Sequence, residues 1–140
     1  TREVRLCGHA TLAAGHVVLT HREPARERVA FRTREAGVLG VVRTPDGYAM
    51  SLPADIARVG SDDDAAALGE ALGVAVDTVL WGIDDAVAVV GSPDRVRGCA
   101  PDPRRLAALT IGGRTVRGVG ITAHDGDDRI VSRAFYPAYG

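Results

Sequence analysis

The stretch Glu3-Val4-Arg5-Leu6-Cys7-Gly8-His9-Ala10-Thr11-Leu12-Ala13-Ala14-Gly15-His16-Val17 decides how the rest of the chain is read. Its first half alternates. Val4 and Leu6 fall on one side and Glu3 and Arg5 on the other, which predicts a strand over residues 2–7. Gly8 breaks that pattern. From about residue 10 to 20 the apolar positions Leu12, Ala13, Val17 and Leu19 suit a buried helix. A strand, a tight turn and a helix in this order set Cys7, Gly8 and His9 beside the unpaired N–H groups and the positive dipole end of a helix.

Three strand candidates follow, at residues 28–33, 38–43 and 48–52. Gly37 and Pro45-Asp46-Gly47 supply the turns between them, so an antiparallel meander is expected. Ser61-Asp62-Asp63-Asp64 reads as a capped helix start, with the helix running to about Leu72 and stopped by Gly73. Strands are expected near 76–81 and 86–90. Ser92-Pro93 and Asp102-Pro103 each put a capping residue before a first-turn proline, which predicts short helices near 93–97 and 103–109. Two further strands, 116–123 and 129–135, flank the polar loop 124–128. The pattern is mixed α/β (α+β) with mostly antiparallel strands. The stretch 54–62 separates two strand-rich parts, and the domains are placed at 1–57 and 58–140.

Composition narrows the function classes. Hydrophobic residues make up 46% and charged residues 25%, as in a soluble globular protein. Net charge is −1 with both signs interspersed, so no nucleic-acid surface is expected. No apolar run reaches the roughly 20 residues that span a bilayer, so no membrane role is expected and the cytoplasm is the default location. Every basic residue other than histidine is arginine. Without lysine the chain cannot form a Schiff base or supply the lysine of a phosphate-binding P-loop. Two cysteines, Cys7 and Cys99, are too few for a disulfide framework or a cysteine-based zinc site, and both are expected as reduced thiols.

Several residues could carry chemistry. His9 at a strand-to-helix turn can hydrogen-bond a ligand or move a proton near neutral pH. It could equally be a packed or capping histidine, and spacing alone leaves both open. Cys7 sits where a helix N-terminus favours thiolate, or it simply ends a strand. His9, His16 and His21 lack the spacing and the acidic partner of a zincin site, so no metal is expected. Gly118-Val119-Gly120-Ile121-Thr122-Ala123 matches G-x-G-x-x-A in letters only, because the glycines lie inside a strand pattern and a polar turn follows. Arg133, near a strand end, could hold a carboxylate or could serve an internal contact.

The stretch from Glu3 to Val17 resembles the first signature of PhzF-like proteins, the isomerase/epimerase family of phenazine biosynthesis. Gly120-Ile121-Thr122-Ala123 and Val131-Ser132-Arg133-Ala134-Phe135-Tyr136-Pro137 resemble their second-half signature, and Leu52-Pro53-Ala54 fits between the two. The resemblance implies a diaminopimelate epimerase-like fold of two similar domains, each wrapping a sheet around a central helix. It implies proton transfer on a small carboxylate-bearing substrate without cofactor, often in a homodimer. His9 is similar to the family's active-site histidine. Gly8, His9 and Ala10 would bind a substrate carboxylate, and Cys7 matches the thiol position of the epimerases. The family's acid/base glutamate and its Glu-Asp-Pro-Val-Thr-Gly-Ser-Ala motif have no counterpart in these residues. The chain is therefore expected to be a central fragment with two incomplete domains, inactive alone. A non-catalytic binder or remnant of the same fold is the alternative.

Overall fold

The computed structural model describes residues 5–137, and the chain divides into two compact units, Thr1–Ala54 and Asp55–Gly140. That division falls three residues before the 57/58 boundary expected from sequence. Each unit is described by itself.

In the first unit, helix α1 spans Gly8–Val17. Cys7 is extended at its N-cap and no side chain caps the helix end. The first intrahelical bond runs from the Thr11 N–H to the Cys7 carbonyl at 3.1 Å, and the Thr11 hydroxyl donates to the same oxygen at 2.9 Å. Residues 2–4 of the expected strand lie outside the described residues. Its remainder is a correction: Arg5, Leu6 and Cys7 form no strand, because the chain is already turning into a helix that starts two residues earlier than expected. The helix also ends differently. Val18–Arg22 forms a π-type turn, closed by the Glu23 N–H on the Val18 carbonyl. Arg43 donates to the Leu19 carbonyl within that turn, satisfying an acceptor the widened turn frees.

Strands β1 (Arg28–Arg32), β2 (Val38–Thr44) and β3 (Gly47–Ser51) form the expected antiparallel meander in the order β1-β2-β3. Thr33 builds the first turn. Its hydroxyl donates to the Gly37 carbonyl and accepts from the Ala36 N–H, and Gly37 takes a φ of 73°. Leu39 and Val41 of β2 point inward and are fully buried, with Val29 and Phe31 beside them on β1. Val38 and Val42 point the other way and stay exposed, as a period of two requires. Gly15 seats α1 on the sheet, since a Cβ there would lie 2.7–2.8 Å from three atoms of Val41.

In the second unit five strands are ordered β10-β9-β6-β5-β4. They are β4 (Arg58–Val59), β5 (Thr78–Trp81), β6 (Asp85–Val89), β9 (Gly118–His124) and β10 (Ile130–Phe135). All neighbours are antiparallel except β6 and β9, which run parallel. The segment between those two holds α3 (Pro93–Gly98), α4 (Pro103–Ala107) and a small hairpin of β7 (Thr110–Ile111) and β8 (Arg114–Thr115). Gly112 and Gly113, both at positive φ, make the hairpin turn. Helix α2 (Asp62–Leu72) starts at a capping box of Ser61 and Asp64 and ends at Gly73 with φ 70°. Leu68 and Leu72 of α2, Val79, Ala86, Ala88, Val119 and Ile121 belong to one buried cluster. The fold is thus mixed α+β with antiparallel-rich sheets.

The start of α2 carries a testable pH dependence. The Asp64 carboxylate accepts from the Ser61 N–H at 2.9 Å and from the Trp81 indole at 3.1 Å. These bonds, the Ser61 backbone bond first, hold its pKa below the usual carboxylate value. A carboxyl with a depressed folded-state pKa contributes stability above its unfolded pKa and loses it as pH falls through the folded value. Acid titration of the wild type should therefore destabilise this unit and shift the fluorescence of Trp81, the chain's single tryptophan, whereas Asp64→Asn should flatten both responses. An unchanged acid limb in Asp64→Asn would refute the assignment.

Candidate active site

The N-terminus of α1 gathers four of the five residues singled out by sequence. Cys7 is exposed and stands at the N-cap. Gly8 is half-buried, and His9 and Ala10 are exposed on the first turn. Because Thr11 is the first residue to donate within the helix, the N–H groups of Gly8, His9 and Ala10 have no intrahelical acceptor and point out of the helix end. Three such donors and the dipole make a place for an anion. Gly8 also lets the helix end sit close to β3. A Cβ there would lie 3.3 Å from the Met50 terminal methyl and 3.9 Å from the Leu52 side chain.

His9 is exposed on the first turn of the same helix. Cys7 and Thr11 open onto a cavity of about 290 Å³ beside the turn between β1 and β2.

Arg133 lies in the other unit, where its side chain makes internal contacts. Its Nη1 donates to the carbonyls of Val96, Arg97 and Cys99 at the C-terminal end of α3. The guanidinium also lies 5.0 Å from the Phe135 ring centroid. These contacts fit the internal role that sequence left open, since carbonyls at a helix C-terminus attract a cation. Cys99 is buried with its thiol 3.5 Å from the Leu72 carbonyl, and burial pushes its pKa up.

Other sequence candidates separate from the site. His16 and His21 lie at the far end of α1, with the His16 ring edge-on to Tyr48 at 5.2 Å and to His21 at 6.1 Å. Among the described residues no three histidine, cysteine or acidic side chains converge as a metal site would need. The glycines of the apparent dinucleotide fingerprint lie within β9. A cluster not foreseen is Asp85, Arg117 and Tyr136. Arg117 makes a two-pronged bond to Asp85 at 2.9 and 2.5 Å, and the Tyr136 hydroxyl donates to Asp85 at 3.3 Å. The nearby charge of Asp85 and burial together raise the Tyr136 pKa, burial contributing most. Sequence offered no hint, because Asp85 and Arg117 meet only through the parallel pairing of β6 with β9.

The family model PhzC-PhzF, described as "Phenazine biosynthesis-like protein", matches residues 1–140. The chain belongs to this family. Relatives include two uncharacterized isomerases of Pseudomonas aeruginosa, each 39% identical over 99% of the chain and 50% of their own length. An uncharacterized isomerase of Vibrio cholerae is 28% identical over 99% of the chain and 46% of its own length. Among solved structures, a PhzC/PhzF protein of Clostridium difficile superposes with a TM-score of 0.75 at 29% identity, covering 99% of this chain and 51% of that one. A PhzF-family protein of Enterococcus faecalis gives 0.73 at 30%, covering 99% and 50%. The chain thus spans about half the length of the relatives it matches. Among the described residues no helix is long and apolar enough to cross a membrane.

Proposed function

We propose that this PhzF-family chain contributes one wall of the active site of a cofactor-independent isomerase or epimerase, acting by acid/base proton transfer on a small carboxylate-bearing metabolite. The observation that carries the reading is the uncapped N-terminus of α1, where the Gly8, His9 and Ala10 N–H groups lack intrahelical acceptors and His9 is exposed on the first turn. The relatives' designation as isomerases supports the same class of reaction. In this reading the N–H groups hold the substrate carboxylate, His9 bonds to the substrate or shuttles its proton, and Cys7 lines the site. Arg133 is left out of the substrate contacts. Residues 1–57 and 58–140 then form parts of two epimerase-like domains, in a cytoplasmic homodimer. The alternative, a binder that keeps the wall but lacks a proton-moving carboxylate, shares the same helix end.

Both readings meet one assay. The full-length gene product is incubated in D2O with a panel of small chiral and cyclic carboxylic acids, and loss of C–H signal is followed by proton NMR. The isomerase reading expects deuterium to enter at least one acid, and His9→Gln to slow this by about 10²–10⁴-fold, the usual contribution of a positioned acid/base. Cys7→Ser should slow it less. Ligand-induced shifts of the His9 ring without exchange in any acid would favour the binder.

A further inference from the structure

The cavity beside Cys7 is lined by Arg5, Arg32 and Arg34, with Glu35 as the one acidic side chain among its lining residues. Arg32 and Arg34 arrive from the end of β1 and from the turn that Thr33 and Gly37 fix. Arg5 arrives from the segment leading into Cys7. Three elements of the sequence thus bring guanidinium groups to one concavity, which carries an excess of two positive charges at the positive end of α1. Planar guanidinium forks bind carboxylate and phosphate oxygens in pairs, and a concave site concentrates their field. At about 290 Å³ the space suits one small anionic group with its linking atoms.

We infer that this arginine-lined cavity is an anion subsite, and that the molecule bound at the end of α1 carries a second negative group, a carboxylate or a phosphate, besides the carboxylate held by the Gly8–Ala10 N–H groups. The inference rests on the proposed function for the first carboxylate. It goes beyond that reading by assigning the substrate class, a dianion. Arg5, Arg32 and Arg34 act here through their charge and placement around the cavity, whatever other groups they also touch.

Cys7 supplies the readout, because it lines the cavity and is exposed while Cys99 is buried with a raised pKa, and peptide mass spectrometry reads the Cys7 peptide apart from any other thiol. The rate of Cys7 alkylation by iodoacetamide is measured in the full-length protein at constant ionic strength. Sodium chloride, propionate, succinate and inorganic phosphate are compared. Succinate should protect Cys7 at lower concentration than propionate, and chloride should not protect. Phosphate protecting as well as succinate assigns the second group to phosphate chemistry; succinate alone assigns it to a carboxylate. Arg32→Ala should raise the half-protecting concentration of the effective dianion by about tenfold, the loss of one charge-assisted pair. Arg32→Lys should restore part of it, and circular dichroism confirms that both variants keep their fold. Equal protection by propionate and succinate, or protection indifferent to Arg32→Ala, overturns the inference. Protection by succinate in a protein that exchanges no C–H keeps the subsite and removes the isomerase reading.

Discussion

Gly15→Val is expected to be among the most damaging single substitutions in the first unit. Gly15 lies buried in α1 at the point where the helix meets β2. A Cβ there would lie 2.7 Å from Val41 Cγ1 and 2.8 Å from both Val41 Cβ and Cγ2, so it would strike the stem of the side chain and not a mobile tip. Val41 is fully buried, and because its Cβ is among the atoms struck, no change of χ1 relieves the contact. Helix propensity argues the other way, since glycine in a helix interior costs about 1 kcal/mol relative to alanine. Overpacking of a filled site costs about 1–3 kcal/mol and more when backbone must move. The collision wins, because among the described residues of this unit the fully buried large side chains are Leu19, Leu39 and Val41. Denaturant midpoints should fall for Gly15→Val by the equivalent of about 3 kcal/mol. The pair Gly15→Ala with Val41→Ala should be less damaged than the sum of its single changes, because the second removes Cγ1 and Cγ2, two of the three Val41 atoms that the new Cβ would strike. Strict additivity would show that α1 is not seated on Val41.

The second large effect is expected at Leu68. This residue is fully buried on α2 and belongs to the cluster that includes Val79, Ala86 and Ile121 of the sheet. Leu68→Ala keeps a strong helix former, so the helix itself gains nothing from the leucine. What is lost is packing, about 2–5 kcal/mol for a leucine truncated in a core that collapses only in part. Ala66→Gly, at an exposed position of the same helix, isolates the propensity effect and should cost about 1 kcal/mol. Trp81 lies in the same cluster, so its fluorescence follows the transition directly. A Leu68→Ala loss no larger than that of Ala66→Gly would contradict the placement of α2.

Much of the architecture was legible because local rules and tertiary structure agree. Ser61 and Asp64 form the capping box that their spacing implies, and Gly73 takes the left-handed conformation that a helix stop favours. Alternation placed β1, β2 and β3 within a residue or so of their ends. Failures occur where that agreement is missing. Strands β4, β7 and β8 are two residues long, too short for a period of two to register. Arg5, Leu6 and Cys7 alternate acceptably, yet the helix nucleates at Gly8 and takes up Cys7 as its cap. Of the candidate site, His9, Gly8, Ala10 and Cys7 were readable because they are consecutive. Arg32 lies inside an expected strand and Arg34 just beyond it, with no motif to single them out, and the β1–β2 turn brings them beside Cys7. Arg133 was ambiguous for the same reason, since the carbonyls it serves are 34–37 residues away.

The parallel pairing of β6 with β9 also sets the tempo at which the second unit assembles. Asp85 aligns with Gly118, 33 positions further along the chain. A hairpin such as β5–β6 closes its loop almost at once, but β9 gains nothing from β6 until α3, α4 and the small hairpin have been drawn together. Closing so long a loop precedes any return from the contacts it makes, which places this domain among slower, non-locally organised folders. Until that closure, β6 offers an unpaired edge to any passing strand, and the window for misassociation stays open as long as the crossover does.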